Sequence, residues 1–324
     1  MKILITGGAG FIGSHTAEAM VSEGNRVCII DELNDFYDPA MKLDNLAAVK
    51  RVGPVQFEQC DIADEHAVDR VFDAFQPEAV IHLAARAGVR PSVENPLLYE
   101  RANVRGTLVL LEACRRARIR KLIFASSSSI YGIANRVPFS EDDHLNEPIS
   151  PYAATKIAGE KLCFTYSHLH SLPIVCLRFF TVYGPRQRPD LAIRKFIELI
   201  EAGKPVPVYG DGSSARDYTY TDDIVAGIKC ALSFDCSYDV FNLGNSHPIS
   251  LLEMVRTIEA AVGKEALLDW KPAQPGDVPI TFADLTKSTA VLGYAPRVPF
   301  AQGIRKFVEW HRGCRSTEQV KRNG

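Results

Sequence analysis

The sequence predicts an α/β protein: a doubly wound parallel sheet with a smaller C-terminal substrate lobe. Three observations carry this. Apolar strand-like runs alternate with helical patterns through the first half of the 324-residue chain. Glycines follow the first strand at G-x-x-G-x-x-G spacing, as Gly7, Gly10 and Gly13. The second strand ends in an acid, Asp31.

The elements follow in order. Lys2–Thr6 is a short apolar run and reads as a buried strand, and Gly13–Ser22 opens the first helix. Gly7 permits a tight turn, Gly10 lets the backbone approach a pyrophosphate, and Gly13 lets the helix pack on the strand. The N–H groups at the helix start then face the phosphates. Further strands are expected at Arg26–Ile30, Val55–Cys60, Ala79–His82, Lys121–Ser126 and Ile174–Arg178. Helices are expected at Met41–Lys50, Glu65–Phe75, Leu97–Arg118 and Pro151–His170. Asp31 suits the ribose hydroxyls of NAD and repels the 2′-phosphate of NADP. Ligands on such sheets sit beyond the carboxyl ends of the strands. Asp31, Asp61 with Ile62, the run His82–Arg86 and the serine run after Ala125 all fall there.

Beyond Tyr183 the pattern changes to a Pro- and Arg-rich loop, GPRQRPD. Helix Leu191–Ala202, strand Val206–Tyr209, a GDGSSARDY loop, helix Thr221–Phe234, strand Val240–Leu243 and helix Ser250–Val262 follow. Residues 1–182 are expected to form the NAD-binding domain and 183–314 mainly the substrate lobe, with some late elements returning to the sheet. Residues 315–324 read as a polar, flexible tail.

Composition narrows the class. Hydrophobic content of 46%, charged content of 23% and a net charge of −2 suit a globular enzyme and argue against nucleic-acid binding. The arginines at 115, 116, 118 and 120 read as a solvated helix end. Eight cysteines show no C-x-x-C pair and no metal-ligand spacing, so no metal site is expected. Cys28, Cys60, Cys176 and Cys230 sit among apolar residues and read as reduced core thiols. No apolar run spans a bilayer and no signal peptide precedes the first strand, so a cytoplasmic protein is expected.

Tyr152 and Lys156 form Y-x-x-x-K, four apart on one helix face. Such pairs also occur on ordinary helices. Beside a dinucleotide motif, a nearby ammonium and a cationic nicotinamide ring would favour the phenolate as a base. One hydroxyl of Ser126–Ser129 would bridge the reacting oxygen to Tyr152, although a serine-rich cap explains two or three of the four.

Together TGGAGFIGSH, Asp31, Asp61–Ile62, HLAA, SSSSIYG, SPYAATK, LRFFTVYGP and ARDYTYTDDI resemble the extended short-chain dehydrogenases/reductases to about Gly313. Within them the chain is similar to nucleotide-sugar 4-epimerases, and most similar to the branch acting on UDP-glucuronate. NDFYD, AGVRPSVENP, FFTVYGPRQRPD and QPGDVP carry that similarity. The resemblance implies C4 epimerisation of UDP-glucuronate to UDP-galacturonate through a transient 4-keto sugar, with NAD kept bound.

The resemblance also implies site residues. Ser127, Tyr152 and Lys156 would be catalytic. Gly7, Gly10, Phe11, Ile12, Gly13, Asp31, Asp61, Ile62, Leu83, Ala84 and Ala85 would contact the cofactor, with Tyr152 and Lys156. Arg90, Ser128, Ser129, Thr181, Arg188, Arg216 and Asp277 would hold the UDP-sugar, Thr181 and Arg188 at its carboxylate. The Asp–Glu pair of sugar-nucleotide dehydratases is replaced by Ser128 and Ser129. UDP-glucose 4-epimerisation, net UDP-sugar oxidation and a silent NAD sensor are the alternatives. A homodimer formed through Leu97–Arg118 and Pro151–His170 is also expected from the family.

Overall fold

The computed structural model describes residues 1–133, 136–145, 147–272 and 278–323, with side chains as far as Cys314. Its first half alternates as the apolar periodicity predicts: β1 (Lys2–Thr6), α1 (Phe11–Ser22), β2 (Arg26–Asp31), α2 (Pro39–Val52), β3 (Val55–Gln59), α3 (Glu65–Phe75) and β4 (Ala79–His82). Then come α4 (Val89–Glu94), α5 (Pro96–Glu100), a π turn over Arg101–Arg105, α6 (Gly106–Ala117), β5 (Lys121–Ser127), α7 (Pro151–His170), β6 (Ile174–Phe179) and β7 (Thr181–Tyr183). The expected helix Leu97–Arg118 is therefore built in three pieces. Pro96 starts it, and the wide turn at Arg101–Arg105 interrupts its regular ladder.

The rest comprises α8 (Ala192–Glu201), β8 (Pro205–Tyr209), β9 (Ala215–Tyr220), α9 (Thr221–Ser233), β10 (Tyr238–Leu243), β11 (Pro248–Ser250), α10 (Leu251–Val262), β12 (Leu267–Lys271), β13 (Ile280–Thr281), α11 (Thr286–Leu292) and α12 (Phe300–Asn323). The ARDY stretch, read as the end of a loop, lies in strand β9. It pairs with β7, β11 and β13 in a second sheet. The tail expected from Arg315 carries helical backbone through Asn323.

The main sheet has seven parallel strands in the order β10-β6-β5-β4-β1-β2-β3. Its order reverses between β1 and β4, the crevice where such sheets take ligands. Side-chain alternation divides the core into two layers. Ile3, Ile5, Ile81 and Ile123 pack on one side with Ala17, Met20 and Ile224. Leu4, Val80, Leu122 and Phe124 pack on the other with Val71, Leu110 and Cys163. A separate cluster, with Phe196, Ile258 and Phe307 at its centre, joins α8, α10 and α12. β10 lies in the main sheet beside β6, so the chain returns from the later half. Cys28, Cys60 and Cys176 are buried, and Cys230 is half-buried.

A polar network crosses this apolar core beneath α7. Arg178 on β6 donates from Nε and Nη2 to the Glu160 carboxylate at 3.0 and 2.9 Å, and from Nη1 to the Tyr131 hydroxyl at 2.9 Å. The paired side chains are 4% and 5% exposed. Ser126 donates to the same carboxylate at 2.6 Å. Removing one partner strands the other charge in a low-dielectric interior. Glu160→Ala should therefore lower unfolding free energy by about 3–5 kcal/mol in chemical denaturation. A loss below about 1 kcal/mol would contradict a dry, paired arrangement.

Candidate active site

The carboxyl ends of β1, β2, β4, β5 and β6 frame a cleft of about 390 Å³. Gly7 turns out of β1 at φ +70°, and a Cβ there would lie 2.7 Å from the Ala84 backbone nitrogen. A Cβ on Gly13 would lie 2.1 Å from the Gly7 carbonyl oxygen, so α1 reaches its position only with glycine there. The expected contact of Gly13 with the strand is thus a contact with the turn that leaves it. Gly10 caps α1 with no side-chain hydrogen bond. Phe11, Ile12 and Gly13 line the cleft, so the unpaired N–H groups of the first turn meet it.

Asp31 is buried at the same end. Its carboxylate accepts the Leu33 N–H at 2.9 Å and the Ala9 N–H at 3.2 Å. Burial pushes its pKa up, while these N–H groups and Lys42 hold it back. Asp61 accepts the Ala63 N–H at 2.9 Å and pairs with Arg101 at 2.6 Å. Between them stand Leu83, Ala84 and Ala85, fixed by a buried chain below. Thr107 gives its proton to the Asn103 carbonyl at 2.6 Å, so the 3.0 Å contact with His82 is donated by His82 Nε2. His82 Nδ1 then accepts from Thr6 at 2.7 Å, and Thr6 accepts the Ala84 N–H at 3.1 Å. Burial, with the Lys156 charge added, lowers the His82 pKa to about 3 and keeps the ring neutral.

These residues fit a dinucleotide. The uncapped α1 start suits phosphate, and Asp31 retains lone pairs for hydroxyl donors. Arg86, which the sequence reading left out of the site, supports the same fit. It lines the cleft, and its Nε is buried without a hydrogen-bond partner. Glu32 and Lys42 also line this end and were not foreseen. Only Arg86 had a signal, at the end of the HLAAR run.

At the other end the serine run separates by strand alternation. Ser126 turns inward to Glu160, and Ser127 faces the cleft. Ser127 also caps the short turn Ser128–Tyr131, accepting the Ser129 N–H at 3.2 Å. α7 brings Tyr152 beside it. The Tyr152 N–H donates to Ser92 Oγ at 3.1 Å, and its ring meets Tyr99 edge-on at 6.2 Å. Burial pushes the phenol pKa up, opposed by the hydrogen bond with Ser127 and the charge of Arg188. Lys156, expected to lower it, donates to the Ala125 carbonyl at 2.7 Å. Its ammonium lies 5.2 Å from the Phe124 ring centre, and burial lowers its pKa to about 8.

Thr181 and Arg188 line the same cleft. The Arg188 guanidinium lies 5.1 Å from the Phe36 ring centre, and Asp190 already holds two of its donors.

The sequence pattern of the GDP-mannose 4,6 dehydratase family matches residues 4–307. The chain belongs to this family, a branch of the extended short-chain dehydrogenases/reductases. A UDP-glucuronate 4-epimerase from Thermodesulfobacterium geofontis is 42% identical over 308 residues, covering 95% of each chain. The structure of a UDP-glucuronic acid 4-epimerase from Bacillus cereus, in complex with UDP-glucuronic acid and NAD, superposes with a TM-score of 0.90. It is 35% identical and covers 97% of this chain and 100% of the other. A UDP-glucose 4-epimerase from Thermotoga maritima, with UDP-glucose, also gives 0.90 at 34% identity, covering 97% and 99%.

Family membership makes the departures informative. Ser128 and Ser129 line the cleft where the dehydratase branch needs its acid pair. Arg90 is exposed on α4, outside the cleft wall. Arg216 on β9 also lies outside that wall and donates to the Ala215 carbonyl at 2.9 Å. The structure therefore does not bring these two to the cleft. Asp277 and most of the QPGDVP stretch fall outside the described residues. Among the described residues no helix is long and apolar enough to cross a membrane, and no His/Cys/Asp/Glu cluster is arranged for a metal.

The burial of Lys156 has a measurable consequence. Its folded pKa lies below the usual 10.5, so the native state carries the penalty of a charged ammonium below about pH 8. That penalty, roughly 3 kcal/mol, is relieved as pH rises from 8 towards 10.5, where the unfolded chain still binds the proton. In NAD-free protein, lysine NMR should show one resonance titrating near pH 8 that disappears in Lys156→Met. Titration of every lysine near 10.5 would contradict the burial of this amine.

Proposed function

We propose that the chain is a UDP-glucuronate 4-epimerase, interconverting UDP-glucuronate and UDP-galacturonate with bound NAD. One observation carries this reading. The Tyr152–Ser127 hydroxyl pair and the Arg188 guanidinium line a single cleft that lacks an acid at 128 or 129. The relatives named for UDP-glucuronate support the choice of sugar.

Bound NAD supplies reversible hydride chemistry at C4. Gly7, Gly10, the first turn of α1, Asp31, Asp61 and Leu83–Ala85 would hold it, joined by Arg86. Tyr152 accepts the 4-hydroxyl proton, with Ser127 bridging, and returns it after the 4-keto sugar has turned over. Positive charge entering the cleft offsets the burial that raises the Tyr152 pKa. Lys156 keeps Tyr152 in register through α7 and offers its remaining protons to the ribose. Thr181 and Arg188 hold the sugar carboxylate. The 4-keto uronate is a β-keto acid, and Arg188 restrains its carboxylate near the sugar plane, where loss of CO₂ is poorly aligned. Ser128 and Ser129 contact the sugar, and Arg216, which stands beyond the cleft wall, and Asp277 take the UDP end where it leaves the cleft.

A second reading, epimerisation of UDP-glucose, has one observation in its favour: Asp190 already occupies the Arg188 fork. Residues 1–182 would serve NAD and 183–314 mainly the UDP-sugar. Leu97, Leu108, Phe164 and Leu169 are exposed on the helices expected to pair two copies, which supports a homodimer.

The holoenzyme should convert UDP-glucuronate faster than UDP-glucose, read by NMR of parallel incubations. Arg188→Ala should lose activity selectively on the uronate, by about 2–5 kcal/mol in kcat/KM. Equal loss on both sugars would refute the uronate reading and leave 4-epimerisation standing. Tyr152→Phe should lower turnover by a factor on the order of 10² or more while NAD still binds. Near-normal turnover would remove Tyr152 from the chemistry. Asp31→Ala should weaken NAD and narrow its preference over NADP; a wild type that favoured NADP would overturn the role of Asp31.

A further inference from the structure

The loop that carries Arg188 is built rigidly. His15 on α1 contacts the Pro185 carbonyl at 2.9 Å, and Arg186 donates to Glu18 at 2.7 Å. Gln187, 1% exposed, donates to the Val182 carbonyl at 2.9 Å. The Leu191 N–H closes the loop on the Arg188 carbonyl at 3.2 Å. Arg188 therefore meets a ligand with little help from backbone movement.

Its charge is also largely withdrawn from water. The Arg188 side chain is 16% exposed, whereas the Asp190 side chain is 45% exposed and lies outside the cleft wall. Asp190 takes Nε at 2.9 Å and Nη2 at 2.8 Å, the side-on fork that suits a carboxylate best. A buried guanidinium needs a counter-ion, and in the sugar-free cleft Asp190 provides it. A uronate entering beside Arg188 brings a second carboxylate to the same cation. A neutral sugar brings none.

We infer that Asp190 is a specificity-determining residue that competes with the substrate carboxylate for Arg188. Its negative charge weakens uronate binding and leaves a neutral sugar almost untouched. The inference rests on the reading that Arg188 faces the sugar carboxylate. Asp190 acts through Arg188 and touches no reacting atom. It lowers the affinity of the carboxylated ground state and so eases release of a carboxylated product.

Binding separates this role from a structural one. UDP-glucuronate and UDP-glucose would be titrated calorimetrically into NAD-loaded protein with Tyr152→Phe, so that neither ligand turns over. Asp190→Asn keeps an oxygen to orient Arg188 and removes the charge. It should tighten UDP-glucuronate by about three- to tenfold and change UDP-glucose by less than about twofold. A gain confined to one ligand is not what a damaged fold produces. Asp190→Ala should also favour the uronate relative to UDP-glucose, with a smaller gain because Arg188 loses its support. Unchanged or weaker uronate binding in Asp190→Asn, with Arg188→Ala still selective against the uronate, would overturn the competition and keep the uronate reading. Equal loss of both ligands in Arg188→Ala would overturn both.

Discussion

The site depends on how α7 is pinned to the sheet. Lys156 donates to the Ala125 carbonyl at the end of β5, and Glu160, one turn further on, accepts from Ser126 and Arg178. Two polar anchors on one helix face fix its height and rotation over β5 and β6. Sliding the helix by a turn would strand an ammonium and a carboxylate in the interior, which is far more costly than losing apolar contact. Tyr152, one turn before Lys156, is thereby held beside Ser127. The geometry at the reacting end follows from satisfying buried charges beneath it.

The cofactor end obeys a steric constraint. Gly13 lies against the Gly7 carbonyl so closely that α1 can start there only without a Cβ. That contact points the α1 N-terminus into the cleft beside Asp31. α1 also reaches forward through His15 and Glu18 to the loop bearing Arg188. One helix therefore serves the dinucleotide and steadies the sugar wall. A change in α1 is expected to be felt at both ends.

Much of this was legible in the sequence. The Rossmann half appeared because its strands are continuous apolar runs and its glycines and acids fall at strand ends. The edges of β1, β4, α3 and α7 emerged at the residues predicted. β9 was missed because ARDYTY carries two adjacent charged residues near its start, after a glycine- and serine-rich stretch, and Asp217 is buried by accepting three backbone N–H groups from distant segments. Such pairing has no local signature. The anchor that Lys156 makes had no local signature either: Y-x-x-x-K puts both side chains on one face, but the hydrogen bond of Lys156 to the Ala125 carbonyl is decided by the neighbouring strand. Glu32, Lys42 and Asp190 were missed because a charged side chain in a loop or on a helix gives no sign of which cleft it enters; Arg86 at least stood at the end of the HLAAR run.

The central claim is that one cleft removes and restores the same hydrogen at C4, with Tyr152 managing the proton. It is tested most directly with UDP-glucuronate carrying deuterium at C4, incubated with the NAD-loaded enzyme in ordinary water. The account predicts UDP-galacturonate that retains the deuterium at C4, with no accumulation of reduced cofactor. Loss of the label to solvent, or a stoichiometric build-up of NADH with a released keto sugar, would contradict it.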